Sequence, residues 1–236
     1  MTEHLPVKLG ISQQFPCSYI ETEQERLLVV LDHEFYTEQK FEHLLALGFR
    51  RSSDQIYRPH CPKCDACKAI RLEVSEFTPS KSQKRILNKS KQFRFEVSHQ
   101  SKDIYYTLYE KYILLRHHDG AMFPPSIEQY ESFLTCRWLT IHYLELWQED
   151  RLIAVAVTDT LSQSLSAIYT FFDPEYEEFS LGTMMILKQI EYAKHLDKRF
   201  LYLGYQIDAC RKMNYKTKFK PYQKLNNNVW HLDIKK

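Results

Sequence analysis

Glycine is scarce in this chain: five residues in 236. No stretch gathers several small residues ahead of a helix, as a pyrophosphate-binding loop requires, so a coenzyme A site is disfavoured. The G-x-S-x-G signature of an activated serine is absent too. Long apolar runs are missing; Leu27 to Leu31 is far short of the roughly 20 residues that span a bilayer. The opening Met1-Thr-Glu-His-Leu-Pro-Val-Lys8 carries no hydrophobic signal region. We therefore expect a cytosolic protein that does not enter the membrane. In that compartment the six cysteines stay reduced or bind metal rather than pair as disulfides.

Net charge is only +2, but acid is absent from two long segments. Phe77 to Phe95 holds six cations, among them Lys81, Lys84, Arg85 and Lys89. Ala209 to Leu232 holds six more, including Arg211, Lys212, Lys216 and Lys218. The rest of the chain thus carries 2 − 12 = −10. Such asymmetry points to an anionic partner, nucleic acid first, against a merely solvated basic face.

Hydrophobic content of 44%, with 14% aromatic, allows a sizeable core. The clearest unit runs from Leu165 to Ile207. A short apolar strand ends at Asp173-Pro174, a helix follows with Ser180 as expected N-cap, and Phe200 to Ile207 is a second strand. Strand, helix and strand make a βαβ crossover with parallel strands. Ligands of such units lie beyond the carboxyl ends of the strands, which predicts one site around Asp173, the Ser180–Thr183 turn and Tyr205.

Upstream, strands are expected at Arg26 to Asp32, Phe49 to Arg58, Ile70 to Phe77 and Phe93 to Val97. A helix ends at Gly48, and Ser80 with Gln83 forms a capping box that starts the basic helix. Ser101 to His117 reads as a helix with Ile104, Leu108, Tyr112 and Leu115 inward. Ala121 to Pro125 is loop, and Ser126 caps another helix. Thr140 to Trp147 and Leu152 to Thr158 form a hairpin. The order from Ser101 is that of an acetyltransferase-type (GNAT-like) α/β domain with a mixed sheet. We therefore expect a smaller cysteine-containing α/β domain over residues 1–98 and a GNAT-like domain over 99–236.

Cys61, Cys64 and Cys67 are spaced C-x2-C-x2-C, with Cys17 as a fourth thiolate upstream. Tight thiolate clusters suit zinc or an iron–sulfur cluster; a reduced structural or redox-sensing loop is the rival reading.

Several segments together resemble the aminoacyl-tRNA–protein transferases of the N-degron pathway. They are Cys61–Cys67, the Phe77–Arg85 stretch, Arg116-His-His-Asp-Gly120, Tyr169–Pro174, Ser180-Leu-Gly182, and Tyr202–Tyr205 with Lys212–Lys216. The match runs in order along nearly the whole chain. The short chain and Arg116–Gly120 look like the bacterial aspartate/glutamate leucyltransferase branch. That resemblance implies transfer of leucine from leucyl-tRNA to proteins with N-terminal Asp or Glu, marking them for degradation. It also implies a GNAT-like catalytic domain and a metal or cluster at Cys17, Cys61, Cys64 and Cys67. An arginyl donor fits the same chemistry. An acetyl-CoA N-acetyltransferase or a non-enzymatic zinc or RNA-binding module are the rivals of other classes.

The donor carbonyl is already an activated ester, and an α-amine with a pKa of roughly 7.7–8.0 is partly neutral near pH 7. Positioning and oxyanion stabilisation should carry the rate, with no cofactor required. Asp173 is the expected group for holding or deprotonating the amine, with Tyr169 and Tyr205 hydrogen-bonding the ester or ribose. Ser180 and Gly182 mark backbone donors. Lys81, Lys84, Arg85, Lys89, Lys212, Tyr215, Lys216 and Lys218 are candidates for tRNA. Arg71, Arg116 and Arg211 are candidates for reading the acidic acceptor side chain.

Overall fold

The computed structural model describes residues 7–120 and 122–234. Met1–Pro6, Ala121, the first residue of the expected 121–125 loop, and Lys235–Lys236 lie outside them. The described residues begin with β1 (Leu9–Ile11), the short pair β2 (Phe15–Pro16) and β3 (Gln24–Glu25), then β4 (Leu27–Val30). Helix α1 (Glu38–Ala46) follows, capped by the Thr37 side chain. It leads into the hairpin β5 (Arg50–Ser52) and β6 (Gln55–Pro59). Strands β1, β4, β6 and β5, in that spatial order, make a small sheet.

The chain then enters a larger sheet with β7 (Lys68–Glu73), and α2 (Lys81–Ser90) leads to β8 (Arg94–Ser98). The capping box is present at Ser80 and Gln83. Next come α3 (Asp103–Arg116), α4 (Ile127–Leu134) and the meander β9 (Thr140–Gln148), β10 (Arg151–Thr160) and β11 (Ser164–Phe172). A 3-10 turn over Pro174–Phe179 precedes α5 (Leu181–His195) and β12 (Phe200–Gln206). The short α6 (Arg211–Asn214), a 3-10 turn at Tyr215–Lys218 and the hairpin β13 (Tyr222–Asn226) and β14 (Val229–Asp233) complete it. The large sheet is ordered β14-β13-β7-β12-β11-β10-β9-β8. Its β11–β12 pair is parallel, joined by α5 as expected; the other neighbouring pairs are antiparallel.

Strands β7 and β8 come from residues before 99, yet both pair within the large sheet. The division expected at 98/99 is therefore not a division between sheets. The terminal hairpin β13–β14 had no apolar alternation to announce it, because its residues lie within the basic run.

Residues Leu152 to Asp159 of β10 are all buried, which requires cover on both faces. Helices α3 and α5 both pack against β10 and β11. In α3 the inward stripe is Tyr105, Leu108, Tyr109, Tyr112 and Ile113. Ile104 and Leu115, expected inside, are 42% and 58% exposed. The phase differs because tyrosines fill this core. Fully buried Tyr105 gives its hydroxyl to buried Glu145, which also accepts from Lys102 and Trp147. Each large apolar side chain buried here contributes about 1.5–3 kcal/mol over exposure. Among the described residues no helix is long and apolar enough to cross a membrane.

Candidate active site

Strands β11 and β12 pair over three positions only: Ser164 with Phe200, Leu165 with Leu201 and Ser166 with Tyr202. Beyond these they separate. Gly204 follows in β12 with φ +85°, where the register against β7 slips. A Cβ at Gly204 would lie 3.6 Å from Lys216 Nζ and 3.7 Å from Arg50 Nη2. The glycine thus serves both a left-handed backbone and a close approach to two cations. Arg50, from β5, donates from Nη2 to the Ala167 carbonyl at 2.5 Å. Lys216 donates from Nζ to the Tyr205 carbonyl at 2.6 Å. They are only 6% and 8% exposed. Burial, with neighbouring Arg50, brings Lys216 down to about 7. Arg50 Nη1 is buried and has no hydrogen-bond partner.

Beside this point lies a cavity of about 430 Å³. Cys17, Cys61, Cys64 and Cys67 all line it, so the thiols separated in sequence do come together. Burial pushes the Cys67 thiol up to about 12, and Cys61, Cys17, Glu25 and Cys64 add to it. Among the described residues no three His, Cys, Asp or Glu side chains are placed to hold a metal ion. As arranged, the four thiols do not form a ligand set.

Tyr205 also lines this cavity, but its hydroxyl donates to the Gly48 carbonyl at 2.8 Å. Burial raises its pKa further. Tyr205 therefore fastens β12 to the small sheet and has no free proton for an ester.

Asp173 lies elsewhere. It lines a second cavity, of about 560 Å³, with Leu108 and Lys111 of α3 and Arg151 of β10. The expected single pocket holding Asp173 and Tyr205 is thus replaced by two, because the strands part after Ser166 and their carboxyl ends diverge. Asp173 accepts from Lys111 Nζ at 2.8 Å, from Arg151 and from the Glu175 backbone N–H at 3.1 Å. Burial alone would raise its pKa; the hydrogen bonds from Lys111, Glu175 and Arg151 outweigh that and hold the carboxyl below 3.8. A carboxylate so engaged is a poor base, and its evident work is to fix the 3-10 turn that it caps.

Asp173→Asn is accordingly expected to lower stability by about 2 kcal/mol, since charge-assisted hydrogen bonds to a buried group are lost while Lys111 and Arg151 still reach water. Because folding depresses this pKa, the contribution is full above the unfolded value and disappears as pH falls through the folded one. Denaturation curves of the two proteins should stay apart at pH 5–8 and converge in acid below 3.8. Equal stability at neutral pH would show the ion pairs to be inert.

Ser180 occupies the N-cap position of α5, but at φ 54° and without a side-chain hydrogen bond. The expected serine cap is absent: a capping side chain needs an extended N-cap backbone, and Ser180 is left-handed instead. A Cβ at Gly182 would meet Phe172 at 3.5 Å, an ordinary contact, so no cradle needs this glycine. Tyr169 is half-buried among Tyr109, Tyr112 and Phe133. Its pKa is raised by burial, then by Tyr112, Tyr109, Tyr215 and Tyr19. Its hydroxyl makes no hydrogen bond to a described residue. Tyr19 lines the cysteine cavity, whereas Tyr169 does not.

The cations divide. Lys81, Lys84 and Arg85 are exposed on α2, while Lys89 donates to the Glu178 carbonyl. Gln83 Nε2 donates to the Lys218 carbonyl at 3.2 Å across 135 residues of sequence, and Phe77 meets Phe219 with ring centres 6.4 Å apart. The two basic runs therefore join into one surface. Lys212 pairs with Asp119 at 3.5 Å, and Tyr215 and Arg211 are exposed. Lys216, expected on that surface, is buried instead because it turns inward to Tyr205.

Arg71 is stacked against Phe200 and Trp230 and bonded to Gln223 and Tyr202, which makes it a cross-strand brace. Arg116 pairs with Glu177. Arg50 was missed from sequence. Its signal was two arginines directly after Phe49 in a segment read as a strand, where charge has no place unless it is used.

Two family models of known proteins match this chain. One is described as arginine-tRNA-protein transferase, C terminus, over residues 104–226; the other as its N terminus, over residues 15–85. A curated aspartate/glutamate leucyltransferase of Shewanella sp. (strain MR-7) is 54% identical, covering 95% of this chain and 94% of the relative. One of Aeromonas salmonicida (strain A449) is 49% identical over 100% and 99%. Among solved structures, the C-terminal domain of a putative lysylphosphatidylglycerol synthetase from Agrobacterium fabrum is similar at TM-score 0.47 and 12% identity, covering 82% of this chain and 71% of that one. That likeness is too low to carry an argument.

Proposed function

The chain belongs to the arginine-tRNA-protein transferase family, and from that premise we propose that it is an aspartate/glutamate leucyltransferase. It moves leucine from leucyl-tRNA to the α-amine of proteins that begin with Asp or Glu, and so creates a degradation signal in the cytoplasm. The observation that carries this reading is the junction of Gln83 and Lys218, which joins two acid-free segments into one cationic face near the end of β12. The catalytic fold is read as GNAT-like, supported by the α3-to-β12 order and the parallel pair that parts after three positions.

In this reading Lys81, Lys84, Arg85, Lys89, Lys212, Tyr215 and Lys218 contact the tRNA, and the esterified terminus enters beside Tyr169. The acceptor nitrogen attacks the ester carbonyl carbon, the amide forms and the C–O bond to ribose breaks. One proton leaves the amine and one reaches the ribose oxygen. With an α-amine pKa of roughly 7.7–8.0, no strong base is needed. Tyr169, kept as a neutral phenol by burial, is available to donate a hydrogen bond to the carbonyl oxygen or the ribose. Asp173 holds the turn after β11 rather than the amine. The absence of a glycine-rich loop before α5 speaks against coenzyme A as donor.

The test is transfer from each purified aminoacyl-tRNA to peptides that differ only in their first residue. Leucine is expected to move to Asp- and Glu-initiated peptides, and arginine not to. Arginine transfer alone would reassign the donor.

A further inference from the structure

We propose that Arg50 and Lys216 form the pocket that reads the carboxylate of the acceptor's first side chain. The inference rests on the leucyltransferase reading and supplies the residues for its acceptor specificity.

Charge bookkeeping in the interior is the starting point. Arg50, Arg51, Lys216 and Asp159 are all buried. The other buried acids, Glu145 and Asp173, are taken by Lys102 and by Lys111 with Arg151, so Arg50, Arg51 and Lys216 are left with Asp159 alone, an excess of up to 3 − 1 = +2. Asp159 is engaged by Arg51 through two hydrogen bonds, one of them 2.8 Å from Nε. What remains is Arg50 beside Lys216, both out of water and without a carboxylate of their own. Burying unpaired charge is costly, and a fold that keeps two such cations together is built to receive an anion. The hydrogen-bond inventory agrees. Arg50 directs Nη2 to Ala167, while Nη1 is buried without a partner. A guanidinium with a free donor next to an ammonium matches a carboxylate in shape and charge.

Position argues the same way. Both cations meet at Gly204, where β11 and β12 have parted, and Tyr205 of the same strand faces the 430 Å³ cavity. Neither cation lines that cavity as it stands; Tyr205, whose carbonyl Lys216 holds, stands on its wall, so the acceptor's first side chain reaches them only by passing Tyr205. An RNA phosphate flanked by two riboses cannot easily do so, and the exposed cations of α2 already offer phosphates a surface. The sequence candidates are otherwise placed: Arg71 is braced between aromatic rings, Arg116 is paired with Glu177, and Arg211 lies in the open.

The experiment measures leucine transfer to peptides beginning with Asp, Glu, Asn or Gln, together with leucyl-tRNA affinity. Wild type is expected to favour Asp over Asn by kcat/KM. Arg50→Gln should lower kcat/KM for Asp and Glu peptides at least 100-fold and bring the Asp-to-Asn ratio towards one, with tRNA affinity kept. Arg50→Lys should retain part of the ratio. Lys216→Met, which leaves Arg50 and its bond to Ala167 in place, should lower the same ratio at least tenfold and covers the case in which Arg50→Gln does not fold. A loss shared equally by all four peptides means a structural role and overturns the inference. Weaker tRNA binding with the ratio preserved assigns the pair to RNA and overturns it too. Wild type that transfers no leucine to any of these peptides counts against the proposed function instead.

Discussion

Arg51→Met is expected to lower the unfolding free energy by about 3–5 kcal/mol, because it leaves Asp159 charged and alone in the interior. Both side chains of the pair are fully buried. The arginine comes from β5 of the small sheet and the aspartate from β10 of the large one. The pair therefore ties together two sheets whose sequences lie 108 positions apart at this point. Arg51 Nη1 also serves the Ser53 and Thr135 carbonyls, at 3.2 and 3.0 Å. In thermal unfolding the loss should read as a fall on the order of 10 °C for a chain of this size. Arg51→Met combined with Asp159→Leu should regain a large part of it, since removing both charges together avoids the unpaired carboxylate. The remainder measures the two carbonyls left without their donor. A single variant as stable as wild type would mean that water reaches Asp159 and the pair is not a tie between sheets.

What the sequence made legible was local. The capping box at Ser80 and Gln83, the β9–β10 hairpin and the β11-α5-β12 crossover each join residues or elements that follow one another directly along the chain. The thiol cluster was legible too, because C-x2-C-x2-C keeps Cys61, Cys64 and Cys67 close along the chain. The site was not. Its two expected halves, Asp173 and Tyr205, end adjacent strands, and period-2 patterning says nothing about where such a pair stops hydrogen bonding. Only the register shows three paired positions and then divergence. The same limit hid Arg50 and Arg51, whose partners Ala167 and Asp159 are more than 100 residues away. The phase of α3 failed for a different reason. Hydropathy ranks Ile104 and Leu115 above Tyr105 and Tyr109, yet a tyrosine can be buried fully when its hydroxyl finds a partner, as Tyr105 does in Glu145.

Charge reversal on α2 is the second large effect, and here stability and binding should move in opposite directions. A helix N-terminus carries partial positive charge and favours acids in its first turn. Helix α2 has none there; Lys81 stands in the first turn, with Lys84 and Arg85 just after it. These cations work against their own helix, so a solvated face selected for stability alone should not look like this. Replacing Lys81, Lys84 and Arg85 together by glutamate should leave the melting temperature unchanged or slightly higher, since an acid in the first turn contributes about 0.3–1 kcal/mol. Leucyl-tRNA affinity should fall roughly 100-fold at 0.1 M salt. The slope of log K against log salt should become shallower by about 2–3, as three phosphate contacts are removed. The loss should sit in KM for the tRNA rather than in kcat, because all three are exposed on α2 while Arg50 and Lys216 are buried. Unchanged affinity and slope in a folded variant would reduce the basic helix to plain surface and leave tRNA binding to the cations around Tyr215–Lys218.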